Sequence, residues 1–111
     1  MNLNIDIQER EHIQHVSLSG EIDAYTAPKL KESILPLTQS SEAEVVVDLQ
    51  SVTYMDSTGL GVFISALKST KEYGSQLTLI NPQERVYRLF KITGLTEIIN
   101  IDTDSTVRGG L

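Results

Sequence analysis

The sequence predicts an α/β domain with a mixed, mostly parallel sheet, and three observations predict it. Two apolar-alternating segments, 3–7 and 13–19, flank the charged turn Glu9-Arg10-Glu11 and read as an antiparallel hairpin. A β-branched run, Val45-Val46-Val47 with Leu49, reads as a buried central strand. Beyond the hairpin, strand patterns alternate with helical ones, which calls for right-handed crossovers and parallel pairing. The predicted order is β-β-α-β-α-β-α, then a short C-terminal element.

Size and charge narrow the function classes. At 111 residues the chain makes one domain with a real core. A net charge of −6 disfavours nucleic acid and anionic membrane as partners, because both need a basic surface. There is no cysteine, so disulfides and Cys-based metal sites are excluded. No apolar run approaches the ~18 residues of a membrane span. Met1-Asn2-Leu3-Asn4 does not read as a signal peptide, and a cytoplasmic location is expected.

Within the hairpin, Leu3, Ile5 and Ile7 alternate with Asn4, Asp6 and Gln8, while Val16 and Leu18 take the inward face of the second strand. His12 and His15 have no companion at ligand spacing and read as solvent-facing strand residues. Gly20 to Tyr25 then leaves the strand, and Thr26-Ala27-Pro28 starts a helix with Thr26 as N-cap. Ala27, Leu30, Ile34 and Leu37 form its stripe, and Pro36 is expected to kink or end it near Leu35. Glu21 and Asp23 read either as solvated loop charges or as a negatively charged docking rim.

After the polar loop Gln39-Ser40-Ser41-Glu42 comes the valine-rich strand, and then the longest helical pattern. Leu60, Phe63, Ile64 and Leu67 share one face, Lys68 and Lys71 suit the C-terminal dipole, and Gly74 is placed to end it. Gln76 to Ile80 is the next strand. Asn81-Pro82-Gln83-Glu84 predicts a helix start with Asn81 as cap and Pro82 at the first position. Val86, Leu89 and Phe90 give that helix its buried face, and Gly94 stops it. Ile98, Ile99 and Ile101 form a last element whose type the pattern leaves open. The domain is expected to end at Ile101, with residues 102–111 a frayed polar tail.

The candidate site is the stretch Tyr54-Met55-Asp56-Ser57-Thr58-Gly59-Leu60-Gly61, between the valine-rich strand and its helix. Asp56 or Ser57 can cap the helix. Each glycine costs roughly 0.5–1 kcal/mol against alanine in a helix. In return the backbone is left bare, open to close approach by another chain or a neighbouring element. The hydroxyls of Ser57 and Thr58 would then stand on an amide-rich end that tolerates an anion, so a serine there could carry a phosphate. An ordinary cap with packing glycines is the plainer alternative. No base lies near Ser57 in sequence, and no P-loop, dinucleotide fingerprint or metal-ligand spacing is present, so no catalytic or metal residue is assigned.

Three segments, Gly20 to Pro28, Tyr54 to Val62 and Arg88 to Leu95, resemble the signature segments of the bacterial anti-sigma factor antagonists, which are single STAS domains. The pattern is most similar to the general-stress members, spans Met1 to Ile101 and shows no departure in the central motif. The resemblance implies a STAS-like fold with helices packed on the mixed sheet, and a mechanism. Ser57 would accept a phosphate, with Thr58 the lesser candidate. An anti-sigma factor with serine kinase activity would phosphorylate it from ATP, and a PP2C-type phosphatase would reverse this. The unphosphorylated form would bind the anti-sigma factor and free the sigma factor. Glu21, Asp23, Tyr25, Asp56, Ser57, Thr58, Gly59 and Gly61 would share the docking surface. The chain itself would be no enzyme and hold no cofactor, ATP belonging to the kinase. The other classes are a STAS scaffold or regulatory subunit of a larger sensory or transport assembly, and an enzyme with Ser57 as nucleophile.

Overall fold

The computed structural model describes residues 2–103. Its elements are β1 (Leu3–Arg10), β2 (Ile13–Ile22), α1 (Ala27–Thr38), β3 (Glu44–Met55), α2 (Ser57–Tyr73), β4 (Gln76–Ile80), α3 (Glu84–Ile92), a 3-10 turn (Leu95–Glu97) and β5 (Asn100–Asp102). The predicted order holds, and the open C-terminal element resolves into that turn and a fifth strand. The sheet runs β1-β2-β3-β4-β5, with β1 antiparallel to β2 and every other pair parallel. β3 is therefore central, as its valines predict.

One row crosses all five strands: Ile7, Val16, Val47, Leu79 and Ile101 stand side by side. Val16, Val47 and Leu79 in that row are buried, whereas Ile7 at the edge is 39% exposed. One residue on, the row Asp6, Ser17, Asp48, Ile80 and Asp102 is exposed or half-buried, because strand side chains alternate between faces. Val46 is likewise half-buried, so β3 is buried on one face and not two. On the apolar face Phe63 of α2 meets Phe90 of α3, their ring centroids 5.9 Å apart and tilted at 57°. Gly74 and Gly94 adopt the left-handed conformation at the ends of α2 and α3, as their placement predicts.

Five local features differ from the sequence pattern. The hairpin turn takes His12, at φ 70°, out of the strand; His15 stays in β2 and is half-buried. β2 runs on past Ser19 to Ile22 because Glu21 and Ile22 still pair with Tyr54 and Met55, after two irregularities in register. α1 passes through Pro36 to Thr38. A proline in the last turn forfeits a single helical bond, and Thr38 is anchored from outside the helix. Its hydroxyl is hydrogen-bonded to the Ser69 hydroxyl at 2.6 Å, and its carbonyl accepts from Ser75 Oγ at 2.6 Å. Asn81 caps nothing. It sits at φ 56° and donates its N–H to Asp102 O, extending the β4–β5 pairing, so α3 begins only at Glu84 behind Gln83. Asp102 thus belongs to β5, and the predicted tail lies from residue 104 onward outside the described residues.

Candidate functional site

The C-terminal ends of β2 and β3 lie side by side, with Glu21 opposite Tyr54 and Ile22 opposite Met55. Asp56 N–H donates to Ile22 O at 3.3 Å, which fixes the loop after β2 against the start of α2. Two segments that are thirty residues apart in sequence so form one surface.

Asp56, not Ser57, is the N-cap of α2. Its backbone is extended, and its Oδ1 accepts from Thr58 N–H at 2.9 Å and Gly59 N–H at 3.3 Å. Two of the amides expected to receive an anion are already committed to this carboxylate. A phosphate on Ser57 would therefore stand outside the cap, facing solvent and next to a negative charge. Ser57 and Thr58 are both exposed at the first turn. Asp56→Ala is expected to lower stability by about 1 kcal/mol, the usual worth of such a cap, measured by urea denaturation.

Asp23 is not a solvated loop charge, being only 7% exposed. Its Oδ1 accepts from Tyr25 N–H at 2.9 Å and Thr26 N–H at 3.0 Å, with Thr26 Oγ1 3.3 Å away. Its Oδ2 is buried and has no hydrogen-bond partner. Thr26 holds the N-cap position of α1 without capping by its side chain. Its hydroxyl instead accepts from Asp23 N–H at 2.9 Å and donates to Glu21 O at 2.8 Å. The loop is thus folded back on itself, and Tyr25 is held out at 86% exposure with its backbone N–H pinned.

The two glycines separate. Gly59 is buried, and a Cβ there would come within 2.7 Å of both Ile22 Cγ2 and Met55 Cγ. Its bareness serves the approach of β2 and β3, which gives this glycine a packing reason of its own. Gly61 is exposed, and a Cβ there meets nothing within 4 Å.

Two of the hollows on this end of the molecule involve the candidate stretch. A cavity of about 320 Å³ is lined by Glu21, Asp23, Ala24, Tyr25, Tyr54 and Asp56. A groove of about 490 Å³ between α1 and α2 is lined by Ala27, Pro28, Lys31, Thr58, Gly61, Val62 and Ser65. Of the predicted residues, four line the cavity and two line the groove. Lys31 was missed, and Tyr54, although inside the candidate stretch, was not among the residues expected to dock. Tyr54 was legible as the outward neighbour of buried Met55, and Thr58, Gly61 and Ser65 as a helical line of small residues. Among the described residues no cluster of three or more His, Cys, Asp or Glu is placed to hold a metal. No helix among them is long and apolar enough to cross a membrane.

Comparison with known proteins matches the same residues. A family model described as the STAS domain covers residues 4–108. The chain is 47% identical over 105 residues to the anti-sigma-B factor antagonist of Bacillus subtilis (strain 168), covering 95% of each. It is 52% identical over 104 residues to that of Listeria monocytogenes, covering 91% of this chain and 90% of the relative. The crystal structure of an anti-sigma factor antagonist from Mycobacterium paratuberculosis superposes with a TM-score of 0.76 at 28% identity, covering 91% of this chain and 86% of that one. With the motif, the sheet order and near full-length relatives in agreement, the chain belongs to the STAS-domain family of anti-sigma factor antagonists.

Proposed function

We propose that this chain is a cytoplasmic anti-sigma factor antagonist whose docking is switched off by phosphorylation of Ser57. The observation that carries it is an exposed hydroxyl one residue after the capping Asp56, at the end of the molecule where the cavity and the groove open. The unphosphorylated form binds an anti-sigma factor and frees the sigma factor. That anti-sigma factor is also the serine kinase, ATP is its substrate, and a PP2C-type phosphatase restores the hydroxyl. The antagonist contributes shape and charge and no catalytic group.

The electrostatics support a switch without refolding. Phosphorylation adds about −1.5 to −2 charges. With a partner anion about 5 Å away, each unit-charge pair is unfavourable by ~3 kcal/mol at an effective dielectric near 20. That corresponds to roughly a hundredfold in affinity. The test is a pull-down of the anti-sigma factor with and without ATP, followed by phosphopeptide mapping. The expected result is a complex without ATP, its loss with ATP, and phosphate on Ser57. Phosphate confined to Thr58 or any other residue overturns the assignment.

A further inference from the structure

We propose that Asp56 is a positioning residue for the phosphate on Ser57: its carboxylate occupies the amides of the α2 N-terminus, keeps the phosphate off the helix and presents it to the enzyme that removes it. This rests on the phosphorylation of Ser57 proposed above and adds how that site is kept reversible. A helix N-terminus ordinarily takes up an anion, because its free N–H groups and the helix dipole both favour one. A phosphate seated there would be held by several charge-assisted hydrogen bonds, and a switch held in that way resets slowly.

The first turn of α2 has little left to offer a phosphate. Thr58 N–H and Gly59 N–H are given to Asp56 Oδ1 at 2.9 and 3.3 Å, and Leu60 N–H to Asp56 O at 3.2 Å. Of the first four amides of the helix, this leaves the N–H of Ser57 itself. Asp56 is fixed in this place, because its own N–H donates to Ile22 O at 3.3 Å. Gly59 is buried and Ser57 is exposed, so the cap reaches into the fold while the acceptor hydroxyl stays on its surface.

Charge and entropy decide whether the phosphate can displace the cap. For the phosphate to take the two amides, the Asp56 carboxylate must leave them, and the two anions stay adjacent in either arrangement. The exchange puts one anion in place of another at the same donors and separates no charge. The carboxylate has the advantage of being in place already, on a backbone that is fixed, whereas a seated phosphate must give up the freedom of the Ser57 side chain. Repulsion from Asp56 then directs the phosphate outward. The same device lets Ser57 gain about −1.5 to −2 charges without altering the helix that carries it.

The test places phosphoserine at position 57 during translation, so that no kinase is needed, in the wild type, Asp56→Asn and Asp56→Ala. Asparagine caps a helix as well as aspartate does but without the charge, whereas alanine frees both amides. In the ¹⁵N-labelled wild type and Asp56→Asn, phosphorylation should move the Thr58 and Gly59 amide protons little. In Asp56→Ala both should move far downfield, because the phosphate takes the place of the cap. Phosphoserine should leave the thermal midpoint of the wild type nearly unchanged and raise that of Asp56→Ala by roughly 4–8 °C, the return of one cap in a domain of this size. A PP2C-type phosphatase should act on Asp56→Ala with a kcat/KM about tenfold below that on Asp56→Asn, since a charge-assisted bond must break first. Both variants lack the carboxylate, so any direct contact of Asp56 with the phosphatase cancels in that ratio. Large downfield shifts at Thr58 and Gly59 in the wild type overturn the proposal, and this reading suffices should Asp56→Ala not fold. Unmoved amides in a folded Asp56→Ala overturn it too, and equal phosphatase rates for the two variants overturn the role in presentation. If the phosphate added by the anti-sigma factor maps to another residue, the assignment of Ser57 fails instead, whatever the amides report.

Discussion

Ser57→Asp is expected to weaken binding of the anti-sigma factor by about a hundredfold, the effect of one added charge some 5 Å from a partner anion, with the far-UV circular dichroism unaltered. The structure separates the two observables. Ser57 is the exposed first residue of α2, and the cap is made by Asp56, so a carboxylate at 57 displaces no bond that holds the helix. An acid in the first turn is itself favourable by about 0.3–1 kcal/mol, which offsets repulsion from Asp56. The change in affinity therefore arises at the interface. A true phosphoserine carries nearly twice the charge of aspartate and should be the stronger block. Ser57→Ala should bind whether or not ATP is present. Isothermal titration of the anti-sigma factor against all three forms measures the effect. Wild-type affinity in the phosphoserine form would remove the charge gate altogether.

Much of this was legible in the sequence because it depends on local pattern. Alternation marks β1 and β2, the valine run marks β3, and Gly74 and Gly94 mark helix ends whatever else surrounds them. The misses share a cause: each was decided by a contact that the periodic pattern does not encode. Pro36 stays in its helix because Ser69 and Ser75 hold Thr38. Asn81 is drawn off its cap because Asp102 O accepts its N–H. Asp23 looks like a loop charge until the Thr26 hydroxyl reaches back to Glu21 O and folds the loop over it. Asp56 and Ser57 are both competent caps by chemistry, and only the docking of Asp56 N–H onto Ile22 O accompanies the choice. The site was thus visible as a composition, and the division of labour within it was not.

That division predicts opposite outcomes for two glycines that the sequence presents alike. Gly59→Ala forces a methyl to within 2.7 Å of Ile22 Cγ2 and Met55 Cγ. Ile22 is fully buried and Met55 is 7% exposed, so neither has free space to retreat into. Overpacking of this kind costs typically 1–3 kcal/mol. In a domain of this size each kcal/mol lowers the melting temperature by roughly 4–8 °C. Gly61→Ala has open space for its methyl and removes a helix-interior glycine, so stability should rise by roughly 0.5–1 kcal/mol. That same methyl projects into the groove lined by Thr58 and Lys31, and affinity for the anti-sigma factor should fall although the fold has improved. Denaturation and binding measured on both variants resolve the matter. A stabilised Gly61→Ala that binds as well as wild type would mean that the α1–α2 groove is not contacted, and docking would then be confined to the Tyr25 side of Ser57. A stabilised variant with weakened binding would instead identify Gly61 as a position where α2 gives up helix stability for the approach of another chain, since nothing within its own fold requires the missing side chain.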